Sequence, residues 1–135
     1  QYAVGRRLTP GNIRPLMAFG TVCFVIGLGG FMVSGNSLLL WGVSAAIFTL
    51  GEVIYAPGEY MLIDNIAPAG MKASYFSAQS LGWLGAAVNP LASGVILTSF
   101  PAWTLFVVLM VAIIAAWALM IKGMRARPWG QPALC

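Results

Sequence analysis

Two glutamates lie inside a long apolar stretch, where an ionisable side chain is costly. Glu52 and Glu59 are two helical turns apart, so both carboxyl groups fall on one helix face about 10 Å apart along the axis, with Tyr55 between them. Ionisable groups inside a membrane mark, by default, a substrate or ion path, and a carboxyl group there can bind and release a proton. The pattern predicts Glu52 as the proton-coupling residue. Glu59 lies nearer the cytoplasmic end of the stretch, which favours a gate or an ion pair, either with Lys72 or with a basic residue outside this segment.

A second polar stripe follows in the next apolar stretch. Its spacings of three and four residues place one helix face at Gln79, Gly82, Ala86, Asn89 and Ser93. Gln79 and Asn89, with Tyr55, are candidates to line an aqueous cavity, and hydrogen bonding between helices is the open alternative. Pro57 and Pro90 each remove a backbone hydrogen bond beside one stripe, which predicts a kink or helix break that acts as a hinge.

Four apolar stretches have to position these residues. Each has about 20 residues or more, which is enough for a helix to cross a hydrocarbon core of ~30 Å. Hydrophobic residues make up 60% of the 135 residues and charged residues 7%, whereas about a quarter of a globular domain is charged. We therefore expect an all-α integral membrane protein with four transmembrane helices, at Pro15–Ser34, Leu38–Ile63, Tyr75–Phe100 and Ala102–Ile121.

The basic side chains predict the orientation of these spans. They occur only before the first stretch, between the second and third, and after the last: Arg6, Arg7, Arg14, Lys72, Lys122, Arg125 and Arg127. Because positively charged loops stay in the cytoplasm, the tails 1–14 and 122–135 and the middle loop are expected there. The net charge of +4 flanks the spans, which favours anionic lipid headgroups over nucleic acid as the partner.

The remaining composition argues against catalysis. The chain has no histidine, three acidic residues and two cysteines, with Cys23 inside the first stretch and Cys135 at the end. No nucleophile–base pair or metal-ligand spacing results, so we expect no enzyme, no cofactor and no metal site. The first and last stretches carry no acidic or basic side chain, and helices that are apolar all round favour the lipid-facing edge of a bundle.

The region from Gly51 to Leu97 resembles the tenth and eleventh helices of major facilitator superfamily transporters, especially the drug–proton antiporters. The matching residues are Gly51, Glu52, Pro57, Ala67, Pro68, Lys72, Ser74, Tyr75, Gly82, Gly85, Pro90 and Gly94. Two positions depart from the family pattern. Lys72-Ala73 stands where many relatives have Arg-Gly, and Glu59 stands where a carboxylate is not generally expected.

The resemblance implies that the chain, which begins with Gln1 in what reads as a loop, is helices nine to twelve of a twelve-helix fold. Its partners would be the remaining helices, membrane lipids, protons and a small-molecule substrate. The implied activity is proton-coupled export, a multidrug type of antiport, by alternating access across the cell inner membrane.

Two alternatives leave the chain as a complete four-span protein. One is a transporter subunit of the small multidrug resistance type, whose key carboxylate lies in its first helix, where this chain has none. The other is an assembly or scaffold subunit whose glutamates form interhelical hydrogen bonds. In the scaffold interpretation, replacing Glu52 and Glu59 by glutamine would affect stability alone.

Overall fold

The computed structural model describes residues 11–68 and 70–126, and every regular element in that part of the chain is an α-helix. The helices are α1 (Ile13–Val33), α2 (Leu38–Ile66), α3 (Lys72–Ser80), α4 (Gly82–Ser99) and α5 (Ala102–Ala126). Four helical units are long and apolar enough to cross a membrane, with α3 and α4 together forming the third. The expectation of an all-α protein with four membrane spans is confirmed.

The helices extend past the apolar stretches at several ends, because polar residues near a span's end continue the same helix. The second helix shows what sets its limits. The Ser37 hydroxyl oxygen accepts a hydrogen bond from the Leu40 N–H at 3.4 Å and caps the start of α2. The helix ends at Ile66 because Ala67 precedes Pro68 and adopts an extended conformation.

The interruption of the third span lies at Leu81, between α3 and α4. There the Leu81 N–H donates to the carbonyl oxygens of Ala78 and Gln79, a tightened helical end, and α4 starts afresh at Gly82. Pro90 lies inside continuous α4, so the helix break expected at this proline is found nine residues earlier. Pro57 likewise lies inside continuous α2.

The packed part of the molecule consists of α1, α2 and α5. The first helix lies along the second and also contacts the fifth, while α3 packs on α2 and α4 packs on α5. Side chains from all three helices of the packed part form one buried cluster, made of Ile13, Met17, Leu62 and Met124. No residue of α3 or α4 is buried within the described chain.

Glycines allow α1 and α2 to approach closely. A Cβ atom at Gly51 would lie 2.9 Å from the Gly20 carbonyl oxygen, and one at Gly27 would lie 2.9 Å from the Phe48 Cβ. Small residues at such crossings permit the backbone contact that drives helix association in lipid. The result is a tight hairpin, which fixes the rotation of α2 and so the direction of its acidic side chains.

Candidate functional site

All three acidic side chains of the chain lie on α2: Glu52, Glu59 and Asp64. Glu52 is the fifteenth of the 29 residues of this helix, counted from Leu38, and so lies at its middle. Glu59 is two turns further along, and Asp64 is in the last turn. The acids therefore run from the centre of the predicted membrane span to one end.

The packing of α2 against α1 turns the two glutamates away from the first helix. The buried positions of α2 share one face: Ser44, Gly51, Ile54, Gly58 and Leu62. Glu52 follows Gly51 and Glu59 follows Gly58, and each step rotates the side chain by about 100° from the packed face. Within the described chain Glu52 is exposed and Glu59 is partly exposed. The surface formed by these two carboxylates is called the acidic face of α2 below.

Tyr55 lies at the border between the packed face and the acidic face. Its ring makes an edge contact with the Phe24 ring, with the centroids 5.6 Å apart, and its hydroxyl lies 4.0 Å from the Met120 Sδ. The side chain therefore fills space between α1 and α5. The sequence periodicity groups Tyr55 with the glutamates, and the structure adds a packing role that periodicity did not indicate.

Gln79 and Asn89 lie on different helices, since the break at Leu81 separates them. Gln79 in α3 is partly exposed, and Asn89 in α4 is exposed within the described chain. The Ser93 hydroxyl, one turn beyond Asn89, donates to the Asn89 carbonyl oxygen at 2.7 Å. The expected stripe is thus split between two helical segments.

The structure brings only some of the candidate residues together. The third helix packs on the second, where the rings of Tyr60 and Phe76 stack with centroids 6.2 Å apart. The fourth helix instead packs on α3 and α5. Gln79 therefore lies on a helix adjoining the acidic helix, whereas Glu52 and Asn89 lie on helices that share none of these main interfaces.

Lys72 forms an ion pair with Asp64, and not with Glu59. The Lys72 Nζ also donates a hydrogen bond to the Asp64 Oδ1, and about half of each side chain is exposed. The pair closes the short connection between α2 and α3, in which Gly70 adopts a positive φ of 81°. The pairing of Lys72 with Glu59 suggested by the sequence is not formed within the described chain. The sequence did contain a signal for the pairing of Lys72 with Asp64. The two residues carry opposite charges and stand on either side of a short connection that contains Pro68 and Gly70.

The described basic residues gather at one end of the packed helices. The Arg14 guanidinium, at the start of α1, donates to the Met124 carbonyl oxygen, near the end of α5, at 3.2 Å. Lys122 and Arg125 flank Met124, and Lys72 lies beside the last turn of α2. Arg6, Arg7 and Arg127 lie outside the described residues.

Comparison with known proteins gives two relatives along most of the chain. The chain is 77% identical over all 135 residues to an uncharacterized MFS-type transporter, YdeE, of Escherichia coli (strain K12), of which it covers 34%. It is 29% identical over 106 residues to an uncharacterized MFS-type transporter, YhjO, of Bacillus subtilis (strain 168), covering 78% of the chain and 26% of that protein. No family model matches, and no solved structure matches.

These similarities, together with the four spanning helices, define a multi-pass membrane protein of the transporter class. The chain belongs to the major facilitator superfamily and is part of an MFS-type transporter. It spans about a third of the length of its Escherichia coli relative. The relatives are transporters, a class distinct from enzymes.

Proposed function

We propose that the chain forms helices nine to twelve of a proton-coupled secondary transporter that exports small molecules across the cell inner membrane by alternating access. The observation that carries this proposal is the acidic face of α2. A carboxylate at the middle of a membrane span is expensive unless it faces protein, water or an ion path. Glu52 has this position and points away from the helix that packs on α2.

The length of the chain supports the assignment to one third of a twelve-helix protein. Four spans occupy a segment equal to 34% of the Escherichia coli relative. Secondary transporters place substrate and ion sites near the membrane midplane, between two halves that rock against each other. The acidic face of α2 then borders that central site, and the helices missing from the chain provide the opposite wall.

Each remaining candidate residue receives a role in this proposal. Glu52 binds the coupling proton, and Gln79, Asn89 and the polar edge of Tyr55 contact the solute or the water around it. Glu59 acts as a gate with a basic group of the remaining transporter, since Lys72 is paired with Asp64. The hinge positions are Pro57 and Pro90.

The orientation follows from the charges. The described cations lie at the start of α1, the start of α3 and the end of α5, and contacts between α1 and α5 bring two of these ends together. Positively charged ends remain on the cytoplasmic side. We therefore assign residues 1–14, the connection between α2 and α3, and residues 122–135 to the cytoplasm.

Replacing Glu52 by glutamine in the full-length transporter tests the central assignment. The amide keeps the size and hydrogen-bonding capacity of the side chain but cannot bind and release the proton, so proton-driven extrusion should be lost. The measurement is extrusion of ethidium from proteoliposomes under an imposed pH gradient, at equal protein content. Glu59→Gln is the matched comparison, because it removes the second carboxylate, the proposed gate, and should slow extrusion while keeping its dependence on the pH gradient.

The same variants separate the transporter from the four-span scaffold. A scaffold role predicts that Glu52→Gln changes thermal stability and leaves extrusion unaltered. Unchanged pH-driven extrusion in Glu52→Gln would remove this residue from the mechanism. Equal loss in both variants would assign coupling to the pair of carboxylates.

A further inference from the structure

The third span consists of two helices whose junction lies at Leu81. In a continuous α-helix each backbone N–H donates to the carbonyl oxygen four residues earlier. At the junction the Leu81 N–H donates to the Ala78 carbonyl oxygen at 3.1 Å, and the Leu84 N–H donates to the Leu81 carbonyl oxygen at 3.0 Å. Both donors are three residues from their acceptors. Such a tighter turn in the middle of a longer helix often marks a hinge.

The residues on either side of Leu81 favour a bend at this junction. The Ser80 hydroxyl donates back to the Phe76 carbonyl oxygen at 3.1 Å, a type of bond that often bends helices. Gly82 begins α4, and glycine is a poor helix former. A Cβ atom at Gly82 would meet nothing within 4 Å, and Leu81 is 64% exposed. Within the described chain the junction therefore has room to bend.

Two surface contacts hold α3 against α2. The ion pair between Lys72 and Asp64 lies at the start of α3, with about half of each side chain exposed. One helical turn further along α3, the Phe76 ring stacks on the Tyr60 ring with the centroids 6.2 Å apart, and Tyr60 is 53% exposed. No residue of α3 is buried within the described chain. The attachment of α3 to α2 therefore lies at the surface, in contrast to the α1–α2 hairpin.

The composition and the position of α3 also set it apart. Its nine residues include Lys72, three serines and Gln79, so its surface tolerates water. Tyr60, the aromatic partner on α2, directly follows Glu59 in the chain. The third helix therefore borders the end of the acidic face, and a movement of α3 away from α2 would uncover that border.

We propose that α3 is a flap that is latched to α2 by the ion pair and the ring stack, and that swings about the junction at Leu81. Exposed ion pairs and single ring contacts are weak enough to break and re-form. The bend at the junction lets α3 move while α4 keeps its packing on α5. The flap itself follows from these contacts alone. Its use, which is to control access to the acidic face during transport, rests on the proposed function.

Two spin labels measure the flap in the full-length transporter. Cysteines at Leu50 on α2 and Ser77 on α3 are labelled in a cysteine-free protein, and pulsed electron paramagnetic resonance gives the distribution of distances between them. Both positions are exposed within the described chain. With the latch intact, a main short distance and a minor longer distance are expected. Asp64→Asn removes the ion pair and should raise the longer population about two- to fivefold, the range that corresponds to an exposed pair.

Charge reversal distinguishes the latch from a general loss of packing. The variant D64K/K72D rebuilds the ion pair with the opposite polarity. The longer population should therefore return to the level seen with the intact latch.

The hinge is tested in the Asp64→Asn background. The additional changes S80A/G82A favour a continuous helix through the junction and should lower the longer population about tenfold, the ratio that corresponds to the helix propensities of the two alanines. The matched control is G85A, which makes the same change from glycine to alanine inside α4. It should leave the longer population unchanged, because Gly85 is helical whether the flap is open or closed.

The flap is overturned if Asp64→Asn leaves the distances unchanged, or if the charge-reversed variant stays as open as Asp64→Asn. An equal effect of S80A/G82A and G85A would remove the hinge from Leu81. None of these distances depends on proton coupling. A negative result for Glu52→Gln therefore leaves the flap unaffected, and a static α3 leaves the assignment of Glu52 unaffected.

Discussion

The molecule contains two regions of similar apolar composition and opposite packing. In the first, α1 and α2 form a close hairpin against α5, and side chains of all three helices are buried. In the second, α3 and α4 together are long and apolar enough to cross a membrane, yet no residue of either is buried within the described chain. Both regions contain glycines, a proline and a polar stripe. The same sequence features therefore accompany close helix packing in one region and an exposed surface in the other.

Small residues show the difference most clearly. Gly27 and Gly51 face atoms of the opposite helix closely enough to exclude a Cβ, whereas Gly82, Gly85 and Gly94 meet nothing within 4 Å. In the hairpin, small residues stabilise contact between helices that are both present. In α3 and α4 they border open space within the described chain, and under the proposed function this surface would face the remaining helices of the transporter.

The largest expected contrast between the regions is in access to water. Single cysteines are placed at Asn89 and at Ser44 in a cysteine-free full-length transporter. One should be labelled by a maleimide and the other should not. Asn89 is exposed on α4, whereas Ser44 is 3% exposed in the hairpin, and a thiol must ionise in water to react with a maleimide. A membrane-impermeant maleimide should label position 89 and leave position 44 unreacted.

If position 89 remained unlabelled while the protein still transported, Asn89 would be covered by lipid or by another helix. That outcome would remove it from the proposed cavity. Labelling of both positions would contradict the close packing of the hairpin.

Replacing a glycine of α1 by alanine should distinguish packed positions from open positions on the same helix. Gly27→Ala should lower the free energy of unfolding by about 1–3 kcal/mol, because the new Cβ overlaps the backbone of Phe48. Gly29→Ala, two residues further on, meets nothing within 4 Å and should change it by less than about 1 kcal/mol, in the stabilising direction, since alanine favours the helix. Denaturant unfolding in detergent micelles measures both. Equal losses at the two glycines would contradict the α1–α2 interface described above.

The smallest effect is expected at the ion pair that joins the two regions. Asp64→Asn and Lys72→Gln should each lower stability by about 0.2–1 kcal/mol, because an exposed pair is well solvated and screened by salt. About half of each side chain is exposed, at 53% and 54%. A double-mutant cycle at low and high salt measures the coupling, which should shrink as salt rises. A coupling that salt leaves unchanged would mean that the whole transporter buries the pair.

The spans were predictable from the sequence because the bilayer imposes a minimum apolar length, and that length is visible in composition alone. The direction in which the Glu52 side chain points was harder to predict from the sequence. Periodicity places Glu52, Tyr55 and Glu59 on one side of a helix, but which part of that side meets α1 depends on where the glycines of the two helices interlock. Tyr55 turns toward α5 for that reason, and only the three-dimensional packing reveals it.

Two local features could not be predicted from the sequence, for different reasons. Lys72 could pair with either Glu59 or Asp64, and the choice depends on the path of the connection through Pro68 and Gly70. The break of the third span lies at Leu81 and not at Pro90, since a helix can continue through a proline when other interactions hold its backbone. The sequence shows which backbone hydrogen bonds a proline removes, but it does not show which interactions compensate for their loss.

The contact between Arg14 and Met124 has a consequence for the biosynthesis of the protein. The two residues are separated by 110 positions, and translation at 5–20 residues per second places roughly 5–20 s between their emergence from the ribosome. After about half of that interval all residues of the α1–α2 hairpin have emerged, while Ile13 and Met17 still lack Met124, the last member of their buried cluster. The last helix of the segment therefore completes the buried cluster that its first helix begins.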